Sequence, residues 1–237
     1  MTLQPATPAS GMPVPAAGDA PRAQLEGALL ADGYALLPSV LDPAACASLR
    51  ERFADEAAFR SHIVMARHGF GRGDYKYFRY PLIEPVARLR EEFYAVLAPI
   101  ANRWNEGLGR PQRFPATQQT FLDFCADHDQ SRPTALLLRY RSGDYNCLHE
   151  DVYGDVAFPF QMTVFLSERR AYEGGEFVLV EQRPRKQSRP IVLRPQRGDA
   201  LVFRIVTAQS PARTATFARR FGTALAKYGR ASASRSA

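Results

Sequence analysis

The sequence predicts an α+β protein whose first half is mainly helical and whose second half consists of strands. Before about Ala126, apolar residues recur at helical spacing, most clearly between Leu89 and Trp104. From Thr134 onward, short apolar runs are separated by turn residues such as Gly-Asp and Gly-Gly, which is typical of strands. We expect six strands, at about 135–140, 146–151, 160–166, 176–181, 189–193 and 199–204.

The beginning of the chain is expected to be disordered over residues 1–22. This segment is rich in Pro, Ala, Gly and Thr, and it cannot bury enough apolar surface to offset the entropy lost on ordering. A short helix over 23–31 and a strand over 33–40 follow, where apolar residues return.

Asp42 and Pro43 predict the start of the next helix, because Asp caps a first turn and Pro fits its first position. We expect this helix to continue to about Phe59. Two more helices are predicted at 85–106 and 117–126, and a loop dense in Gly, Arg and Tyr is predicted at 68–80.

The composition indicates one globular domain that does not bind a membrane. The chain has 237 residues and no apolar run of transmembrane length, and residues 1–20 lack the features of a signal peptide. Its three cysteines, at 46, 125 and 147, are odd in number and widely spaced. They favour reduced thiols over a disulfide framework, so we expect a cytoplasmic protein.

The net charge of +7 is carried by the end of the chain. From Arg204 onward there are seven basic residues and no acidic ones, and the other 24 basic residues balance the 24 acidic ones. A basic patch is the usual mark of a nucleic-acid partner, but here the excess lies in the tail. A nucleic-acid partner is therefore not expected, and a small-molecule or peptide substrate is.

The residues that point most directly to chemistry are His149 and Asp151. In a strand, residues two apart point to the same face, so this imidazole and this carboxylate could bind one metal ion together. Cys147 would share that face, either as a further ligand or, in the interpretation we prefer, as a small buried residue.

A longer pattern surrounds this pair. The motif Y-x-x-G-x-Y-x-x-x-H-x-D runs from Tyr140 to Asp151. It is followed by an apolar strand at 162–166, by Gly-Gly-Glu at 174–176, by Gly-Asp at 198–199 and by an apolar strand at 200–203. Over 134–203 this order resembles the 2-oxoglutarate and Fe(II)-dependent oxygenases, and within them the prolyl 4-hydroxylase-like branch.

The resemblance implies a double-stranded β-helix, the jelly-roll type of core, with the N-terminal helices packed on it. Such a core has about eight strands, so the last strands are missing here. We therefore predict four segments: a disordered segment over 1–22, a helical support region over 23–133, an incomplete jelly-roll core over 134–204 and a basic, atypical tail over 205–237.

The resemblance also implies a site. Fe(II) would be bound by His149, Asp151 and a second histidine, with 2-oxoglutarate and O2 as cosubstrates for the hydroxylation of a C–H bond. Tyr140 matches a family tyrosine whose hydroxyl contacts the cosubstrate; the alternative is a half-buried aromatic that packs on its strand. Arg139 and Tyr145 are second-choice candidates. Glu176 is expected to be structural, because two glycines before it mark a tight turn.

The second histidine is missing from its expected place after the Gly-Asp strand. The four histidines are His62, His68, His128 and His149, and we expect the first three to be surface or capping residues. The tail also has no motif that would align the cation that binds 2-oxoglutarate. We therefore expect a dioxygenase impaired in this copy, and the alternative is a non-catalytic jelly-roll binding module or degenerate remnant.

The tail after Arg204 has two interpretations. A shifted reading frame explains why the family pattern stops there, and with suitable third bases the other frame encodes a histidine and an arginine at the expected spacing. The alternative is a natural basic tail, which would make a nucleic-acid binder a third class of function. A short amphipathic helix is expected over 216–228.

Overall fold

The computed structural model describes residues 19–149, 154–181, 185, 187–205 and 223–224. The α-helices are α1 (Asp19–Ala31), α2 (Pro43–Arg52), α3 (Val86–Gly107) and α4 (Gln118–Ala126). The strands are β1 (Tyr34–Leu37), β2 (Phe59–Val64), β3 (Gly71–Arg72), β4 (Asp74–Phe78), β5 (Leu136–Arg139), β6 (Tyr145–Asn146), β7 (Phe160–Val164), β8 (Phe177–Glu181), β9 (Arg189–Leu193), β10 (Ala200–Arg204) and β11 (Thr223–Ala224).

All strand pairs in the described part of the chain are antiparallel. The sheets have the orders β1-β10-β7, β11-β8-β9, β2-β4-β5 and β3-β6. Strand β10 lies between β1 and β7. A strand from the second half of the chain is therefore paired with the first described strand. The six strands predicted after Thr134 are confirmed as β5 to β10, although β6 is shorter than expected and residues 150–151 lie outside the described residues.

The largest core is built on one face of β10. Ala200 and Val202 point into a buried cluster that includes Leu29 of α1 and Phe93 and Ile100 of α3. The opposite face of β10 carries side chains of a second, smaller cluster, shared with β8. Strand β10 is therefore buried on both faces, as the alternation of side chains along a strand requires.

Helix α2 begins as predicted but ends early. Asp42 accepts a hydrogen bond from the backbone N–H of Ala45, 2.8 Å away, and Pro43 occupies the first turn. The prediction that the helix continues to Phe59 is wrong. The carboxylate of Asp55 caps a separate 3-10 turn at Glu56–Ala58, and β2 begins directly after it.

The loop predicted at 68–80 is also wrong, because this region contains β3 and β4. Strand β4 lies between β2 and β5 and alternates between buried and half-buried residues. Its buried positions include Asp74 and Lys76, so charged residues stand where a sequence pattern expects apolar ones. The segment predicted as a helical support region, 23–133, thus also contains the four strands β1 to β4.

The tail contributes a short strand to a sheet. Thr223 and Ala224 form β11 and pair with Leu179 and Val178 of β8. The helix expected over 216–228 is wrong at these two residues, and the remainder of that range lies outside the described residues. No helix among the described residues is long and apolar enough to cross a membrane.

Candidate functional site

The short ladder between β3 and β6 holds the residues that precede His149. Gly71 pairs with Asn146 and Arg72 pairs with Tyr145. The ladder is extended by one more bond, in which the backbone N–H of Cys147 donates to the carbonyl oxygen of Phe70 at 2.9 Å. These bonds fix the backbone up to two residues before His149.

His149 is half-buried, and its imidazole is oriented by the backbone of Cys147, two residues earlier. Nδ1 lies 2.8 Å from the carbonyl oxygen of Cys147, and since a carbonyl can only accept, Nδ1 is the donor. In the neutral ring this places the lone pair on Nε2, the arrangement of a metal-binding histidine whose other nitrogen is held by a carbonyl. Asp151 lies outside the described residues, so the prediction that it shares a face with His149 stays a prediction.

Tyr140 follows β5 directly and is only 4% exposed. Its ring lies against Gly73, where an added Cβ would be 2.8 Å from Cδ1 of the ring and 3.0 Å from the carbonyl oxygen of Arg139. Only a residue without a side chain leaves room for the ring there. The tyrosine is therefore more deeply buried than the half-buried aromatic considered above, and its contact with a cosubstrate stays a prediction.

Sequence reasoning missed a network of charged groups on β4. Asp74 is buried, and Arg139 donates to both of its carboxylate oxygens at 3.0 and 2.7 Å. Nε2 of His62 is 2.8 Å from the same carboxylate. Burial opposes ionisation of Asp74, but the hydrogen bonds from Arg139 and His62 outweigh it and lower the pKa of the carboxyl below its usual value.

Lys76 extends this network on the same face of β4. Its ammonium donates to the carbonyl oxygen of Phe53 at 2.9 Å, forms an ion pair with Glu56 and lies 4.7 Å from the centre of the Phe53 ring. The guanidinium of Arg139 lies 4.1 Å from the centre of the same ring. Arg139 thus connects β5 to β4 and to the end of α2, which agrees with a structural role.

The remaining candidates are dispersed. Cys147 is exposed, with Sγ 3.7 Å from the carbonyl oxygen of Gly69, so the preference for a buried cysteine is wrong. It directly follows β6, a two-residue strand that pairs with β3 in a two-stranded sheet. Tyr145 is 52% exposed. Glu176 forms ion pairs with Arg169 and Arg194, which agrees with a structural role.

The other histidines have partners of their own. His62 contacts Asp74, the ring of His68 stacks on Phe70, and Nδ1 of His128 is 2.8 Å from the carbonyl oxygen of Phe124, which is a capping contact. Within the described ranges, no group of three or more His, Cys, Asp or Glu side chains could hold a metal ion. The described residues alone therefore supply only part of the two histidines and one carboxylate that hold Fe(II) in this class of site, and Asp151 lies outside them.

Three comparisons place the chain among known proteins. Two uncharacterised proteins, from two strains of Mycobacterium tuberculosis, are 42% identical to it over 138 residues, which is 58% of this chain and 58% of each relative. The crystal structure of a Pseudomonas putida prolyl-4-hydroxylase is similar with a TM-score of 0.50 and 15% identity, covering 88% of this chain and 92% of the other. At that identity the similarity shows the fold, a mixture of helices and antiparallel sheets.

The third comparison identifies the family. Residues 73–226 match Oxygenase-NA, described as an oxygenase catalysing oxidative methylation of damaged DNA. The matched range begins at Gly73 and contains Tyr140, His149 and Asp151. Because the match covers more than half of the chain, the protein belongs to the Oxygenase-NA family.

Proposed function

We propose that this protein is an Fe(II)- and 2-oxoglutarate-dependent dioxygenase, a hydroxylase of the prolyl 4-hydroxylase-like kind, with His149 and Asp151 as metal ligands. The observation that carries the proposal is the hydrogen bond from Nδ1 of His149 to the carbonyl oxygen of Cys147, which leaves the lone pair of the neutral ring on Nε2. Tyr140, buried beside Gly73, is the proposed contact of the cosubstrate carboxylate. The β-sheets form the proposed jelly-roll core.

We further propose that the chain with this sequence is catalytically impaired. No histidine follows His149, and the three others make the contacts with Asp74, Phe70 and Phe124 described above. A metal held by two protein ligands instead of three is bound weakly and in an undefined geometry.

The test is succinate release by the purified chain in the presence of Fe(II), 2-oxoglutarate and O2. We expect no release above that of His149→Ala. Sequencing the genomic DNA around codon 204 should reveal a frame that encodes the missing histidine. The corresponding frame-restored chain should release succinate in an iron-dependent manner, and His149→Ala should abolish that release. Robust turnover by the chain as written would disprove the impairment.

The second candidate function is a non-catalytic binding module, in which His149 and Asp151 are relics. The incomplete donor set of the described residues favours it. The same assay separates the two functions. If the frame-restored chain releases no succinate although it folds and binds Fe(II), the binding module is the better description.

A further inference from the structure

The segment that carries His149 and Asp151 is flanked by two fixed points. Before it, the β3–β6 ladder fixes the backbone as far as Cys147. After it, the amide of Gln130 donates to the carbonyl oxygen of Val156 at 2.9 Å and accepts from the backbone N–H of the same residue at 2.8 Å. Val156 is buried, and buried backbone groups need such partners. One side chain therefore fixes the backbone of Val156 as a neighbouring strand would.

Gln130 is itself fixed, because it lies at the end of helix α4. Its backbone N–H donates to the carbonyl oxygen of Cys125 at 2.8 Å, and the N–H of Asp129 donates to that of Ala126 at 3.1 Å. Asp129 has a φ of 60°, in the left-handed region, so the helix ends in a Schellman motif. Cys125 is buried. The hydrogen bonds to Val156 therefore start from a part of the chain that is anchored in the core.

The amide of Gln130 also lies directly against the backbone of Gly154. A Cβ at that position would be 2.6 Å from both Cδ and Oε1 of the amide, closer than such atoms approach in proteins. Any side chain at residue 154 would therefore push the amide away from Val156. Gln130 thus contacts two residues on the far side of the segment, and the first of them lies three positions after Asp151.

We propose that Gln130 is a positioning residue for the metal site, which fixes the end of the segment that carries Asp151 and so places this carboxylate beside His149. Four residues separate His149 from Gly154, and a short segment with both ends fixed has few backbone conformations to lose when a ligand binds. Gln130 acts through the backbone and does not touch the metal. This inference rests on the proposed function, because Asp151 is a metal ligand only within it.

A residue that only stabilises the fold would behave differently. Its loss would lower the stability of the protein, and its effect on metal binding would add to that of removing Asp151. A residue that acts through Asp151 gives effects that are not additive, because the position of the carboxylate no longer matters once the carboxylate is gone. The two roles are therefore separated by combining substitutions at Gln130 and Asp151.

The experiment titrates the full chain with Cu(II) and follows binding by electron paramagnetic resonance. Cu(II) binds a given set of nitrogen and oxygen ligands more tightly than Fe(II) does, so two ligands suffice for a signal. The copper that belongs to the site is the part that His149→Ala removes. We expect Gln130→Leu, which deletes both hydrogen bonds, to weaken this binding by about tenfold. Asp151→Ala should weaken it at least as much, and adding Gln130→Leu to Asp151→Ala should change it little further.

Helix α4 offers a matched control. Gln119 lies on the same helix, and its amide nitrogen donates to the carboxylate of Asp123 at 2.8 Å on the exposed surface. Gln119→Leu makes the same chemical change and should leave copper binding unaltered. If Gln130→Leu does not fold, as judged by circular dichroism, Gln130→Asn keeps the amide on a side chain one methylene shorter, which cannot make both bonds to Val156, and it should weaken copper binding in the same way.

The outcomes separate this inference from the proposed function. If His149→Ala and Asp151→Ala remove the copper signal but Gln130→Leu leaves the affinity unchanged, the positioning role is overturned and the metal site stands. Additive losses in the double variant would also overturn the positioning role, since Gln130 would then act on stability alone. Copper binding that neither His149→Ala nor Asp151→Ala affects would overturn both the metal site and the role of Gln130.

Discussion

Strands β10 and β6 are buried to very different extents. All five residues of β10 are buried, between β1 and β7 and between two core clusters. Strand β6 has two residues, pairs with β3 and leaves Tyr145 half exposed. The difference indicates that stability is concentrated around β10, whereas the candidate site and its exposed edge are built where few contacts have to be broken for a ligand to bind.

A substitution in β10 is expected to reduce the stability of the protein the most. Phe203 is 1% exposed and packs with Phe177, with 5.7 Å between the ring centres. Phe203→Ala should reduce the free energy of unfolding by about 3–5 kcal/mol, because it removes a buried ring and leaves a cavity. Urea denaturation followed by circular dichroism measures this. Val192→Ala on β9, where the side chain is 56% exposed, is the control and should cost less than about 0.5 kcal/mol.

Asp74→Asn in β4 is expected to reduce the free energy of unfolding by a smaller amount. The substitution keeps the shape but removes the charge that Arg139 and His62 contact, and it should cost about 1–3 kcal/mol. The value stays below that of a fully buried pair because the two partners are 37% and 38% exposed. Arg52→Ala breaks an exposed pair with Asp55 and should cost at most about 1 kcal/mol.

The stability that Asp74→Asn removes should depend on pH. The folded pKa of Asp74 is lowered, so its ionised form adds stability above the unfolded pKa, and that stability is lost as the pH falls through the folded pKa. Urea midpoints of the original chain and of Asp74→Asn should therefore converge on acidification. If the urea midpoints of the two proteins differed by the same amount from neutral pH into the acid range, the charge of Asp74 would not stabilise β4.

Strands β10 and β4 also show what sequence can and cannot predict. Strand β10 follows a Gly-Asp turn, where Asp199 accepts a hydrogen bond from the backbone N–H of Gln196, and its apolar run is continuous. These signals are local. Strand β4 carries Asp74 and Lys76 at buried positions, and the partner of Asp74 is Arg139, 65 residues later. Buried charges are tolerated only when they are paired, and these partners lie far away in the sequence. No local pattern therefore predicts the strand.

The candidate site likewise has a part that the sequence predicts and a part that it does not. His149 and Tyr140 were found from a motif, whose spacing is local to one segment. The contacts of Tyr140 with Gly73, and of Phe70 with Cys147, join segments that are far apart in the chain. Sequence reasoning placed Gly73 and Phe70 in a loop, because a two-residue strand such as β3 leaves no periodic signal.

Gly73→Ala should separate a clash from backbone strain. Gly73 has a φ of +125°, and a Cβ there would meet the ring of Tyr140. Gly143 also has a positive φ, +88°, but a Cβ there would meet nothing within 4 Å. Gly143→Ala should cost about 1 kcal/mol for strain alone, and Gly73→Ala about 1–2 kcal/mol more. Equal urea midpoints for the two variants would show that Tyr140 does not pack against Gly73.

The smallest effect on stability is expected at Cys147, although we expect it to be the most reactive of the three thiols. Burial raises the pKa of the Cys46 and Cys125 thiols, which lowers their thiolate fractions, whereas Cys147 is exposed at the end of β6. Iodoacetamide at neutral pH should therefore modify Cys147 well before the other two, as peptide mass spectrometry will show. Cys147→Ser should remove the fast phase and change the free energy of unfolding by less than about 0.5 kcal/mol. If Cys125 reacted as fast as Cys147, α4 would open as readily as the edge of β6, and the contrast between a stable core and an accessible site would not hold there.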